Sequence, residues 1–273
     1  MNSSAACHEI EGVPNLYVDA FKGSYLQKTH STDCTFILSH YHGDHYQSLP
    51  RDNKYQGPAR IHCTPVTAAL LRNVHKVPSD FVVEHEYGVS WTYSWTEKEA
   101  ASITFYDANH CPGAAIITIQ LSCGTTHLHT GDMRFHEKMK TYPVLSKAVE
   151  NRKLDLLYLD TTYGHPKHDF LSQDVAVNQI ATQIHTLLSS HDQCKPPSDR
   201  RKSSNDPSRP NNVLILLSCY SIGKEKVLWE ASVRTNQQVY VTDRKMAMMQ
   251  CIQTTQPSLP LEGATNQSTH CCF

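Results

Sequence analysis

Four side chains that can bind a metal stand within six residues: His40, His42, Asp44 and His45. They follow directly on an apolar run typical of a β-strand. Side chains two residues apart on an extended segment share a face, so His40 and His42 can grip one metal together. Gly43 lets the chain turn, which can aim Asp44 and His45 at a second metal nearby. Imidazole suits zinc and a carboxylate can bridge or cap it. The alternative is a surface cluster in a chain that contains 17 histidines.

Two later segments supply further ligands of the same kinds. His110 follows the strand-like run 102–106 and would complete a three-histidine set, the open zinc arrangement that leaves room for water. Asp132 follows a short extended segment that ends at His129, and it is placed to bridge two metals. Taken singly, His110 could be a core histidine and Asp132 a turn residue. The three segments together favour a metal centre.

Six segments resemble the DNA cross-link repair nucleases, the β-CASP branch of the metallo-β-lactamase fold that includes Artemis and Apollo. The matching segments are residues 18–21, 38–46, 107–114, 129–135, 157–163 and 220–226. The resemblance runs from about residue 16 to about residue 252. The metal motif alone would not separate a nuclease from a lactamase or a thioester hydrolase, whereas the six segments together are highly specific.

The resemblance implies a role for each residue of the metal set. The first metal takes His40, His42 and His110, the second takes Asp44 and His45, and Asp132 lies between them. Asp19 is expected to support the site by holding a ligand histidine in the correct tautomer, with a plain turn or cap carboxylate as its alternative role.

Four further positions lie in the segments that resemble the family. Asp160 corresponds to the first β-CASP motif and joins Asp44, His45 and Asp132 as a catalytic group that orients a histidine; the alternative is a cap on the local turn. Ser221, Gly223 and Lys224 could contact phosphate or an interface, although Lys224 could equally form a salt bridge within the insert. The segment is not a P-loop, because the leading glycine spacing is absent.

The pattern of elements predicts a mixed α/β (α+β) chain. Strands are expected at residues 16–18, 35–38, 60–63, 102–106, 115–121, 127–129, 154–159 (a buried type), 213–217 and 239–241. Helices are expected at residues 64–74, 172–188, 224–232 and 243–251. The resemblance implies a metallo-β-lactamase four-layer αβ/βα sandwich over residues 1–159 and a partial β-CASP domain over residues 160–273. A flexible loop is expected at residues 190–212, where Arg200 to Lys202 form a basic triplet: a phosphate contact, a targeting signal or simply a solvated loop.

Composition limits the class of protein. The 273 residues are 39% hydrophobic, enough for a real core, and no apolar run is long enough for a membrane span. Ten scattered cysteines are more consistent with reduced thiols than with a disulfide framework. The net charge of -1 argues against tight, unassisted duplex binding but leaves a local basic groove open.

The resembled family continues past the insert into a segment whose histidine completes the second metal. No such segment follows Ile252, and Ser268 to His270 is only a faint echo. We therefore expect the last part of the sandwich to be missing, with zinc as one or two ions and the second site incomplete.

These residues predict a zinc-dependent phosphodiesterase. The resemblance implies that it is a DNA nuclease, a 5′-to-3′ exonuclease acting on single strands or ends in interstrand cross-link and double-strand break repair. A nuclear location, repair-protein partners and no membrane association are expected with it. The alternatives are a truncated, catalytically weak or inactive form that binds nucleic acid or regulates, and an RNA-processing nuclease.

Overall fold

A computed structural model of the chain describes residues 8–151, 154–193 and 213–256. These residues form two compact units. The first contains the described residues up to His168 and from Arg244 onward, and the second contains those from Asp169 to Asp243. This division differs from the expected domain boundary at residue 160 by placing residues 160–168 and the segment after Asp243 in the first unit. The boundary between family domains stays a prediction.

The first unit contains two β-sheets. The parallel sheet has the order β1-β2-β3-β4, with β1 at Leu16–Val18, β2 at Thr35–Ile37, β3 at Arg60–Cys63 and β4 at Val82–Glu84. The second sheet has the order β5-β6-β7-β8-β9, with β5 at Ser90–Ser94, β6 at Ala100–Asp107, β7 at Ala115–Leu121, β8 at Thr126–His129 and β9 at Leu156–Tyr158. Its pairs are antiparallel except β8 with β9, which is parallel.

The hydrophobic core lies between the inner faces of the two sheets. Val18 and Ile37 of the parallel sheet belong to one buried cluster with Ile103, Phe105 and Ile117 of the second sheet. Residues two apart on β6 enter the same core because successive side chains of a strand point to opposite faces. This packing fixes the strand ends, and the ligand loops begin there.

Helices complete both units. In the first unit they are α1 at Ser24–Lys28, α2 at Pro65–Leu70, α3 at Pro143–Asn151 and α6 at Asp243–Thr255, the last assigned there from Arg244 onward. Pro65 opens α2, where its missing N–H costs nothing. Buried Met248 and Met249 anchor α6, and its Cys251 thiol lies 3.7 Å from the Ala69 carbonyl oxygen in α2.

The second unit contains α4 at Gln173–Gln193 and α5 at Glu225–Thr235. Arg234 of α5 donates to the Asn178 side-chain oxygen at 2.6 Å and to the Thr182 hydroxyl at 2.8 Å, both on α4. Buried Ala181 of α4 and Leu228 of α5 add apolar packing within this unit.

The mixed α/β class is confirmed, and seven of the expected strands are present within a residue or two of their expected ends. The strand expected at residues 213–217 is wrong, since that segment has no regular structure, and residues 239–241 hold only a single bridge at Tyr240. Of the loop expected at residues 190–212, residues 190–193 belong to α4, and residues 194–212 lie outside the described residues. The buried character expected of residues 154–159 is also wrong, because Leu157 and Leu159 are exposed.

Several expectations fall partly or wholly outside the described residues. Arg200 to Lys202 and His270 lie outside them, so the structure describes nothing at those positions. The six cysteines within the described ranges are all free thiols. Among the described helices, none is long and apolar enough to cross a membrane.

Candidate metal centre

The expected ligands lie on loops that follow the carboxyl ends of strands from both sheets. His40 and His42 come after β2, His110 after β6 and Asp132 after β8. A backbone hydrogen bond of 3.0 Å from the Ala115 N–H to the Ser39 carbonyl ties the first of these loops to the second sheet. The packing of the two sheets therefore brings residues some ninety positions apart in the sequence into one cluster.

Three histidines converge at the first half of this cluster. His42 Nδ1 lies 2.9 Å from His40 Nε2 and 3.1 Å from His110 Nε2. Ligand nitrogens placed tetrahedrally at ~2.0–2.1 Å from zinc are about 3.3 Å apart. The observed spacing is within a few tenths of an ångström of that geometry, so a small opening of the rings admits a zinc ion. The residues present therefore fit the group that the sequence implies.

Asp132 faces both halves of the cluster with different oxygens. Its Oδ2 lies 3.6 Å from His110 Nε2 and 3.9 Å from His40 Nε2, whereas its Oδ1 lies 3.4 Å from His45 Nε2. A carboxylate with one oxygen toward each of two ligand sets has the geometry of a bridging ligand.

The second half of the cluster contains His45, Asp132 and Asp44. The ligand atoms of His40, His45 and Asp132 lie within 4.8 Å of one another. Asp44 Oδ2 is 3.6 Å from His45 Nε2, and its side chain is 80% exposed, so this carboxylate sits at the mouth of the site. The structure brings all six expected ligands together, although Asp44 stands outside both close groups.

Buried Asp19 supports two of the ligands. Its Oδ2 lies 2.8 Å from His45 Nδ1 and accepts from the Ser39 hydroxyl at 2.6 Å, while its Oδ1 accepts from the Ser39 N–H at 2.8 Å. Ser39 Oγ, having donated its proton to Asp19, accepts from His40 Nδ1 at 3.0 Å. Both His40 and His45 therefore hold a proton on Nδ1, and both turn Nε2 toward Asp132.

The electrostatics of the cluster separate the histidines. Burial and the neighbouring histidines hold the pKa of His40 well below its usual range, and burial together with His42 lowers the pKa of His110 to about 4. Burial also acts to lower the pKa of His45, but the carboxylates of Asp19 and Asp132 outweigh it and raise that pKa to about 11. His40 and His110 are thus neutral and ready to bind a metal, whereas His45 must give up a proton to do so.

Two glycines near the site behave differently. Gly43 has no positive φ and nothing within 4 Å of a built Cβ, so the turn there does not require glycine, contrary to the expectation from sequence. Gly131, beside Asp132, has φ 51°, and its Cβ would lie 3.0 Å from the Ala115 carbonyl oxygen and 3.1 Å from Ser39 Cβ. The placement of Asp132 therefore depends on glycine at position 131.

Asp160 holds the loop that contains Asp132. Its Oδ2 accepts from the Met133 N–H at 3.3 Å and lies 3.6 Å from Arg134 Nη1, while its Oδ1 accepts from the Thr162 N–H at 2.9 Å. These contacts match the turn-capping alternative and add support of the ligand loop. A role for Asp160 in orienting a histidine stays a prediction.

Ser221, Gly223 and Lys224 lie in the second unit. Lys224 has φ 65° at the start of α5, and its Nζ lies 3.3 Å from the Ser218 carbonyl oxygen and 5.0 Å from the Tyr220 ring. The Gly223 N–H donates to the buried Glu225 carboxylate at 2.8 Å. These contacts account for the local fold, and a phosphate role for Ser221 and Lys224 stays a prediction.

Two residues of the cluster were missed from the sequence. Ser39 orients His40, and its only signal is its position between a strand and the first ligand. Buried Cys111 places its sulfur within 4.8 Å of the ligand nitrogens of His40, His42 and His110. Its signal was the direct succession His110-Cys111, because thiolate is a common zinc ligand.

Comparisons with known proteins give several relatives. No protein-family model matches the chain. The chain is 33% identical over 219 residues to the DNA cross-link repair protein SNM1 of Arabidopsis thaliana, covering 80% of this chain and 38% of that protein. It is 30% identical over 229 residues to the 5′ exonuclease Apollo of Gallus gallus, covering 84% and 42%. It is 28% identical over 260 residues to DNA ligase 6 of Arabidopsis thaliana, covering 94% and 16%. The chain thus spans less than half the length of each of these relatives.

Two solved structures each match part of the chain. A Cronobacter sakazakii metallo-β-lactamase with a HARLDQ motif covers 67% of this chain and 82% of its own, with a TM-score of 0.34 and 15% identity. Zn²⁺-bound PqqB from Methylobacterium extorquens covers 46% and 52%, with a TM-score of 0.31 and 14% identity.

Proposed function

Because this chain belongs to the family of the DNA cross-link repair proteins, we propose that it is a metal-dependent nuclease that hydrolyses phosphodiester bonds in DNA. The observation that carries the proposal is the bridging placement of Asp132, with Oδ2 toward His40 and His110 and Oδ1 toward His45. A shared carboxylate between two ligand sets suits a pair of metal ions better than a single structural ion.

We assign zinc as the metal because the ligands that converge are imidazole nitrogens and carboxylate oxygens. His40, His42 and His110 would hold one ion, with Asp132 shared, and His45 and Asp44 would contribute to the other. When bound, such a pair supplies an activated water and neutralises the charge that a phosphodiester gains during hydrolysis.

The chain's own residues supply orientation and proton handling around that pair. Asp19 and Ser39 fix the tautomers of His45 and His40, and Asp160 fixes the loop that contains Asp132. Exposed Asp44 stands 3.6 Å from His45 Nε2 at the mouth of the site. Ser221 and Lys224 are proposed to contact a substrate phosphate.

The finer parts of the proposal follow from the relatives. A 5′-to-3′ exonuclease polarity is proposed because a 30%-identical relative is named a 5′ exonuclease. Action in the repair of interstrand cross-links and double-strand breaks, a nuclear location and contacts with repair proteins are proposed because several relatives are named as DNA cross-link repair proteins.

Cleavage of a 5′-phosphorylated single-stranded DNA tests the proposal. Purified wild type, Asp132→Asn and the matched surface variant Asp33→Asn would be compared with zinc supplied and then chelated. We expect activity in wild type and Asp33→Asn that is lost on chelation, and a loss of at least 100-fold in Asp132→Asn. Products labelled at each end give the polarity, and a matched RNA strand separates DNA from RNA cleavage.

A folded, zinc-containing wild type that cuts neither the DNA strand nor the RNA strand would overturn the proposal that the chain is a nuclease. That result would favour the alternative of a nucleic-acid-binding or regulatory chain without turnover.

A further inference from the structure

Four exposed side chains next to the metal centre alternate between cationic and aromatic. They are Arg134, Phe135, Lys140 and Tyr163, called here the basic-aromatic strip. The rings of Phe135 and Tyr163 are 60% and 45% exposed, although both are large enough to gain by burial. Rings left in water beside a catalytic site are a common sign of a binding surface.

Each exposed ring of the strip has a cation beside it. The Arg134 guanidinium carbon lies 4.6 Å from the centre of the Tyr163 ring, and Lys140 Nζ lies 5.7 Å from the centre of the Phe135 ring. Such cation–π contacts hold the ring and the charge together while leaving part of each accessible. Both cations also lie beside carboxylates: Lys140 Nζ is 2.7 Å from Glu137 Oε2, and Arg134 Nη1 is 3.6 Å from Asp160 Oδ2. The Lys140–Glu137 pair is exposed, and an exposed ion pair contributes little to stability, so a phosphate can take the place of that carboxylate.

The strip is fixed to the loops that hold the ligands. The Arg134 N–H donates to the Ala108 carbonyl at 3.0 Å, and the Asn109 side-chain amide donates to the Arg134 carbonyl at 3.2 Å. Ala108 and Asn109 lead directly into His110, and Arg134 follows Asp132 by two residues. The backbone of Arg134 is therefore tied to the loop that leads into His110.

We propose that the basic-aromatic strip binds single-stranded DNA and leads it to the metal centre. Bases stack on Phe135 and Tyr163, while Lys140 and Arg134 contact the phosphates between them. Stacking on side chains needs unpaired bases, because the faces of paired bases are already covered within a duplex. The identity of the strand as DNA rests on the proposed function. The geometry of the strip calls only for a single-stranded nucleic acid.

Binding measured without cleavage separates this proposal from the nuclease. Fluorescence anisotropy would follow a short labelled oligothymidylate on the full chain with metals chelated. Phe135→Ala and Tyr163→Ala are each expected to weaken binding by about tenfold, the usual scale for losing one base–aromatic stack. Lys140→Ala is expected to lower the slope of log affinity against log salt by about 0.7, the value for one phosphate contact on a single strand.

Matched controls exist on the far edge of the second sheet. Val89→Ala removes a 57% exposed apolar side chain at the start of β5, and Lys98→Ala removes an exposed lysine near its end. Both controls should bind as wild type. An abasic strand of the same length should bind wild type and Phe135→Ala alike, because it has no base to stack.

Three results would overturn the proposal that the basic-aromatic strip binds single-stranded DNA. They are wild-type affinity in both aromatic variants, an equal loss on the abasic strand, or an equal loss in Val89→Ala. Equal affinity of the wild type for a matched RNA strand would overturn the assignment of DNA. The proposal of nuclease activity is tested separately. Asp132→Asn should abolish cleavage of the same oligonucleotide while leaving its binding within about threefold of wild type.

Discussion

Ser39 offers a direct test of how the metal centre is organised. Its hydroxyl donates to Asp19 at 2.6 Å and accepts from His40 Nδ1 at 3.0 Å, and His40 is fully buried. Ser39→Ala removes the acceptor that keeps the proton of His40 on Nδ1. The ring can then place its proton on Nε2, which is the atom that faces Asp132 and would bind the metal.

The size of the effect follows from these contacts. A partner that orients a ligand histidine is typically worth 10- to 100-fold in metal affinity, or about 1.4–2.8 kcal/mol. The variant also leaves a buried N–H of His40 without its acceptor, which costs about 1–3 kcal/mol of folding stability. His45 keeps its own bond to Asp19, so the loss of zinc affinity should fall on the site that contains His40.

A competitive titration with a chromophoric zinc chelator measures this affinity without any need for catalysis. Ser90→Ala is the matched control, because its hydroxyl bonds Thr104 at 2.8 Å on the second sheet, away from the ligands. Circular dichroism would show that each variant is folded. If Ser39→Ala holds zinc within threefold of the control, Ser39 does not set the tautomer of His40 and the reasoning is refuted.

Two further predictions concern the backbone and the pH dependence of stability. Gly131→Ala should destabilise the chain by about 1–3 kcal/mol because Gly131 has a positive φ and close neighbours. Gly43→Ala should change the free energy of unfolding by less than about 0.5 kcal/mol. Urea unfolding measures both variants, and equal effects would contradict this difference between the two glycines. His62 and His85 contact each other at 2.8 Å and stack on Trp91, and burial, aided for His62 by the charges of His85 and Arg60, lowers their pKa values to about 3 and about 4. Because both pKa values lie below the usual 6.5, the unfolded chain takes up protons first, so stability is full above about pH 6.5 and falls toward pH 4. The slope is at most about 1.4 kcal/mol per pH unit for His62 and less for the more exposed His85. His85→Phe keeps the ring stack and should reduce the difference in unfolding free energy between pH 7 and pH 5; an unchanged difference would show that the pair does not carry it.

Much of the candidate site could be predicted because the residues expected as ligands follow local rules. The alternation of His40 and His42 after a strand, and the placement of His110 and Asp132 after other strands, needs only strand geometry and loops at strand ends. The six matching segments predicted the family, and the relatives confirm it. The Ser39 contact could not be predicted, because it depends on a hydroxyl meeting Asp19 across two neighbouring strands.

The wrong elements share one physical cause. Residues 213–217 have the branched, apolar composition of a strand, yet Leu214 and Leu216 are largely exposed and the segment pairs with no strand among the described residues. Composition states what a segment can bury, whereas a strand also needs a partner at the right place. The strand β5 was not expected, because most of its residues are polar. Its alternating Trp91 and Tyr93 nevertheless pack on the core. Its period of two was the signal that was overlooked.

The parallel pairing of β8 with β9 has a consequence for the order in which the site comes apart. Residues 127–129 of β8 pair with residues 156–158 of β9, so Asp132 sits inside the long crossover that joins them. The closing contact, from Asp160 to the Met133 N–H, exists only while β9 is docked. Local opening of β9 would therefore free the bridging carboxylate first, while His40, His42 and His110 stay on loops anchored by other strands. The docking of this edge strand would therefore decide whether Asp132 stays between the two ligand sets. With β9 undocked, the chain would keep only the group of His40, His42 and His110.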